Sequence, residues 1–91
     1  MTRDDAENRL NGLMERLAAI EHERWSHWQR YMHGKAVKQP DGSLLIPKEL
    51  VDRWEQQIAT DYAALSEKEK ESDRDQVRKY LPLIVEVISR V

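Results

Sequence analysis

From about Asp4 to His33, Leu10, Leu13, Met14, Leu17, Ala18, Trp25, Trp28 and Met32 recur at three- and four-residue spacing, with Glu21 on the same stripe. That period is one face of a long amphipathic helix, and it commits the first third of the chain to helical packing. Gly12 is the weak point of the run, costing about 1 kcal/mol relative to Ala in a helix interior. Gly34 is the expected stop, just past the last turn.

Between Lys35 and Pro47 the pattern changes. Pro40-Asp41-Gly42 forms a turn whose glycine accepts positive φ, and its short apolar flanks make a small hairpin or an irregular loop. Pro47 suits the first turn of a second helix because it has no N–H to leave unpaired there. Leu50, Val51, Trp54, Ile58, Tyr62 and Leu65 keep the helical period beyond it. A third helix starts after Ser66, where Ser66 and Glu69 have the spacing of a capping box. Its inward face runs through Asp73, Val77 and Leu81. Pro82 should kink or end this helix near Tyr80 to Leu81, leaving a short last helix from about Leu83 to Arg90.

The 91 residues therefore predict a single domain over 1–91 of mainly α class: a small three- to four-helix bundle with a short hairpin or irregular loop after the first helix. A chain this short buries a modest fraction of its surface, so its core must be compact or be completed by oligomerisation. A homo-oligomer is the partner expected on that ground.

Composition narrows the function classes. No cysteine is present, which removes disulfides and thiolate metal sites. Fifteen basic and 17 acidic residues are interleaved for a net charge of −2, so there is no basic stripe of the kind that grips long nucleic acid. The opening Met1-Thr2-Arg3-Asp4-Asp5 lacks the order of a signal peptide, and the longest uncharged apolar run, Tyr80 to Val85, is too short to span a bilayer. A cytoplasmic protein without a membrane partner is the simplest expectation. No Ser or Thr stands in a nucleophile motif and no glycine-rich loop opens a helix. The expectation is a protein that is not an enzyme and has no cofactor.

Glu21 on an apolar stripe asks for a partner, and Arg74, three residues before Val77 on the third helix's inward face, is the candidate. The pair reads first as an inter-helix salt bridge that sets packing register, and second as a ligand-facing pair. His22, His27 and His33 lie five and six residues apart, which separates them by more than about 100° around a helix. Ligands sharing one metal want i and i+4, so no metal site is expected. Trp25, Trp28 and Trp54 read as core bulk. The functional alternative is a stacking wall for a planar ligand, with Trp28 beside the Gly34 loop as the best indole and Arg24 or Lys35 for phosphate.

Two stretches carry a family resemblance. Leu17-Ala18 followed by His22-Glu23-x-Trp25, and Tyr62-x-x-Leu65-Ser66-x-x-Glu69-Lys70-x-x-Asp73-Arg74, are similar to the two signatures of the ryanodine-receptor repeat domain in its stand-alone prokaryotic or phage form. The resemblance covers about residues 17–90. This chain lacks a Trp after Gly34 and inserts a helical stretch, Lys48 to Asp61, after Ile46-Pro47. The resemblance implies a noncatalytic helical module of a kind that recognises small nucleotide-like molecules or mediates contacts between proteins. The first expectation is a small-ligand binding module, recognising or sequestering a nucleotide-derived molecule, with Arg24, Trp25, Trp28, Lys70 and Arg74 as candidate contacts. The alternative is a structural or protein–protein interaction domain that acts through homo-oligomerisation.

Overall fold

Thr2 starts the first helix. Its hydroxyl accepts from the Asp5 N–H at 3.1 Å while the Asp5 carboxylate accepts from the Thr2 N–H at 3.3 Å, so two otherwise orphaned donors are satisfied reciprocally. In the computed structural model, which describes residues 1–90, this helix (α1, Arg3–Asn11) ends at the glycine and a second one (α2, Met14–Lys35) follows. The single long helix expected over Asp4–His33 is thus two helices. The break is a tightened turn in which the Leu13 N–H bonds to the Leu10 carbonyl at 2.9 Å. A Cβ at Gly12 would meet the Arg9 carbonyl oxygen at 3.3 Å, and glycine avoids that crowding.

The end of α2 also differs from expectation. Gly34 lies inside the helix, and the chain leaves it at Ala36, which is extended (φ −81°, ψ 158°) and donates its N–H to Met32 O at 3.1 Å. A residue in extended conformation stops the helix here, so no left-handed cap is needed.

Residues 37–45 form the hairpin. β1 (Val37–Lys38) and β2 (Leu44–Leu45) pair antiparallel, Val37 opposite Leu45 and Lys38 opposite Leu44. Gly42 has φ +89°, the conformation that Pro40-Asp41-Gly42 foreshadowed. The Asp41 carboxylate accepts from the Ser43 hydroxyl at 2.6 Å and the Ser43 N–H at 2.9 Å, which holds its pKa below the usual carboxylate range.

The hairpin returns the chain along α2 as α3 (Lys48–Ile58), with Pro47 one residue ahead of the helix as its cap. α3 ends before the Tyr62 and Leu65 of the expected period: the Thr60 hydroxyl donates to Gln56 O at 2.6 Å, and a 3₁₀ turn over Tyr62–Ala64 follows. α4 (Glu67–Val77) then opens on the capping box read from sequence, with the Glu69 N–H to Ser66 Oγ at 3.2 Å and the Ser66 N–H to Glu69 Oε1 at 3.4 Å. Replacing Ser66 by Ala is expected to cost about 1 kcal/mol in urea unfolding, with Ser66→Asp recovering most of it. Equal losses in the two variants would exclude the cap as the cause.

Pro82 falls in the first turn of α5 (Leu81–Ile88), two residues earlier than the expected start at Leu83, where its missing N–H leaves no bond unmade. Arg9, Leu13 and Arg16 lie four and three residues apart, on one side of the α1–α2 elbow. The Arg9 guanidinium donates to the Val87 and Arg90 carbonyls, and Arg16 lies 4.0 Å from Glu86. The two arginines reach α5 from either side of Leu13, so Leu13 faces α5. Leu13 (2% exposed) and Val87 (5%) are the buried hydrophobic residues among those described.

Among the described residues the fold is mainly helical, with five α-helices and one two-stranded hairpin. The count exceeds three to four because Gly12 divides the first helix. It is also open. The radius of gyration is 18.3 Å and the extents are 57 × 34 × 17 Å, whereas a compact domain of this length has a radius near 12 Å. Among the described residues, no helix is long and apolar enough to cross a membrane.

Candidate functional site: an aromatic trough between α2, α3 and α4

Because the hairpin folds α3 back along α2, side chains far apart in sequence share one trough of about 640 Å³. His27, Trp28 and Tyr31 come from α2, Arg53, Trp54 and Gln57 from α3, and Leu65, Ser66, Lys68 and Glu69 from the segment that enters α4. The trough continues into a smaller, more apolar recess of about 390 Å³ between Met32, Ile46, Val51, Trp54 and Ile58. Trp28 lines both.

The aromatic groups in it are ordered against each other. Trp28 and Tyr31 meet edge to face with centroids 5.7 Å apart, and His27 lies edge-on to Trp28 at 5.5 Å. Lys35 Nζ sits 5.6 Å from the Tyr31 ring centroid, within cation–π range. At the α4 side, the Ser66 hydroxyl donates to Glu69 at 2.8 Å and lowers its pKa, with Gln57 of α3 adding to the effect. That commits the hydroxyl at the rim to capping and keeps Glu69 charged.

Of the ligand contacts expected from sequence, Trp28 is in the trough, whereas Arg24, Trp25, Lys70 and Arg74 are elsewhere. Arg24 pairs with Glu21 at 2.6 Å along α2. Trp25 is 60% exposed and stacks on His22, with centroids 6.2 Å apart. Lys70 lies 3.7 Å from Glu67 and 5.8 Å from the Tyr62 ring. Arg74 bonds Glu67 at 3.3 Å and Glu71 at 3.2 Å. The proposed Glu21–Arg74 bridge is therefore not made. Both side chains are solvated, and each finds a partner on its own helix, so the burial that would have required a bridge is absent.

Glu71 is the hub of an exposed network, accepting from Arg78 at 2.6 Å and from Arg74. Arg78, then Arg74, hold its carboxyl below the usual range. Folding thus lowers the pKa of Asp41, Glu69 and Glu71, so the native state binds fewer protons than the unfolded chain in acid. The melting temperature is expected to be level above about pH 6 and to fall progressively below about pH 4.5. A melting temperature that rises on acidification would contradict the sign of these shifts.

Sequence reasoning missed Tyr31, Arg53 and the placement of Trp54. A signal existed: Val51, Trp54 and Ile58 share one face of α3, and an antiparallel return after the hairpin sets that face against Trp28, Tyr31 and Met32. Among the described residues, no three His, Asp or Glu side chains converge as a metal site would need. No family model, curated protein or solved structure matches the chain.

Proposed function

We propose that this protein is a noncatalytic helical interaction domain that works by associating with itself. The observation that carries the reading is its surface. The chain exposes 7479 Å², against about 5,500 Å² for a compact monomer of 10.8 kDa. The excess is about 1,900 Å² per chain, or about 3,800 Å² for two, within the range buried by obligate homodimers. Much of what is exposed is large and apolar, including Trp28, Tyr31, Leu45, Ile58 and Val85. The absence of cysteine and the mixed surface charge accord with a cytoplasmic setting. Light scattering on purified protein tests the reading: a mass of about 21.6 kDa, twice the chain, is expected for a dimer, and 10.8 kDa at all concentrations would reject it.

A second reading draws on the trough itself. Trp28, Tyr31 and Trp54 offer aromatic walls beside Arg53 and Lys68, groups that suit a planar anionic ligand such as the nucleotide-derived molecule implied by the ryanodine-receptor-repeat resemblance. A panel of nucleotides and cyclic nucleotides should then raise the melting temperature of the wild type, and of Trp28→Ala much less. No shift across the panel would remove this reading.

A further inference from the structure

The exposed apolar surface is divided between a convex element and a concave one. On α5, Val87 points inward, while Leu81, Val85 and Ile88 remain exposed at i, i+4 and i+7, one uncharged ridge along the helix. Val85 is 57% exposed. The concave element is the recess between α2 and α3, walled by Met32, Val51, Trp54 and Ile58, with Ile58 77% exposed at its mouth. A ridge of i, i+4 and i+7 anchors is the shape by which an amphipathic helix enters an apolar groove.

The chain's own ridge is not in its own recess. Arg16, which reaches Glu86 of α5, and Tyr31, at the recess, are separated on α2 by about 22 Å of helical rise. No residue of α5 lines the recess. With ridge and groove offset along an elongated molecule, a second copy related by a two-fold axis would supply the ridge that each groove lacks. A two-fold axis makes the two contacts equivalent and closes the assembly, leaving neither element free to propagate a filament.

We infer that two copies of this chain form a reciprocal dimer in which the Leu81/Val85/Ile88 ridge of each α5 occupies the α2–α3 recess of the other. The inference rests on the self-association proposed above and adds which surfaces meet. Pairing recess to recess would leave two hollows facing each other. Pairing ridge to ridge would leave the aromatic recess uncovered and the surface excess largely in place.

Complementation between two variants tests it. Val85→Glu spoils the ridge and Ile58→Lys spoils the recess, and each is a change at an exposed position in a single chain. Each variant alone has two faulty contacts and is expected to dissociate at least about 30-fold more readily than wild type. An equimolar mixture has one intact contact and one in which Glu and Lys face each other, so it should recover dimer mass as a heterodimer. Should either variant lose helical circular dichroism alone, recovery of that signal on mixing gives the same answer. A wild-type chain that stays monomeric overturns both the self-association and this contact. A wild-type dimer whose two variants still dimerise with unchanged affinity overturns the contact alone. Variants that dissociate but do not recover on mixing overturn the reciprocal arrangement.

Discussion

Leu13→Ala should remove about 2–5 kcal/mol of stability in urea unfolding, a large share of what a chain of this size possesses. Leu13 is 2% exposed at the α1–α2 elbow, on the side from which Arg9 and Arg16 reach α5. Val87 is the other buried hydrophobic residue among those described, so the fold has little further core to make up the loss. An exposed substitution on α2, Glu23→Ala, should stay within about 0.5 kcal/mol and serves as the reference. A loss below about 1 kcal/mol for Leu13→Ala would mean that the α1–α5 contact is not what holds the helices together.

The second large effect is a dependence of thermal stability on protein concentration. If the missing core is supplied by a second copy, unfolding and dissociation are one event, and the native state is stabilised by mass action. A hundredfold rise in concentration then adds about 2.7 kcal/mol. For a dimer of this combined size, that is a rise in melting temperature of about 5–10 °C. The physical basis is the radius of gyration of 18.3 Å and the 7479 Å² exposed surface, both too large for a chain that has buried its apolar stripes by itself. A melting temperature constant over the hundredfold range would show that the open chain is stable alone.

Local features were legible where they depend on neighbours in sequence. The Ser66/Glu69 capping box, the positive φ of Gly42, the start after Pro47 and the helix break before Pro82 follow from backbone chemistry within a few residues. Gly34 was misleading because a glycine is permitted, but not obliged, to end a helix. Gly12 was recognised as weak, yet whether it bends the chain depends on where α1 must lie against α5.

The site was less legible. Trp28 was singled out for its place before the loop, and it does line the trough, but Arg24, Trp25, Lys70 and Arg74 point to other surroundings. A helical stripe read from periodicity is broad, and a residue near its edge, such as Glu21 or Trp25, is solvated or enclosed according to how far the next helix reaches. Here α3 and α4 leave that edge open, so Glu21 satisfies itself with Arg24.

What the sequence by itself determined is the helical class, the caps and turns that punctuate it, and the apolar stripes that must be buried. Those are consequences of dihedral preference and of hydrogen bonds closed over three or four residues. Only the tertiary structure decided which stripes meet within one chain. The hairpin sets α3 against α2 and makes the trough, the α1–α2 elbow sets Leu13 against α5, and the remaining stripes face solvent. The reason is that burial is a property of pairs of surfaces: a sequence declares that a face is apolar, while the path of the chain decides whether another face of the same molecule can reach it.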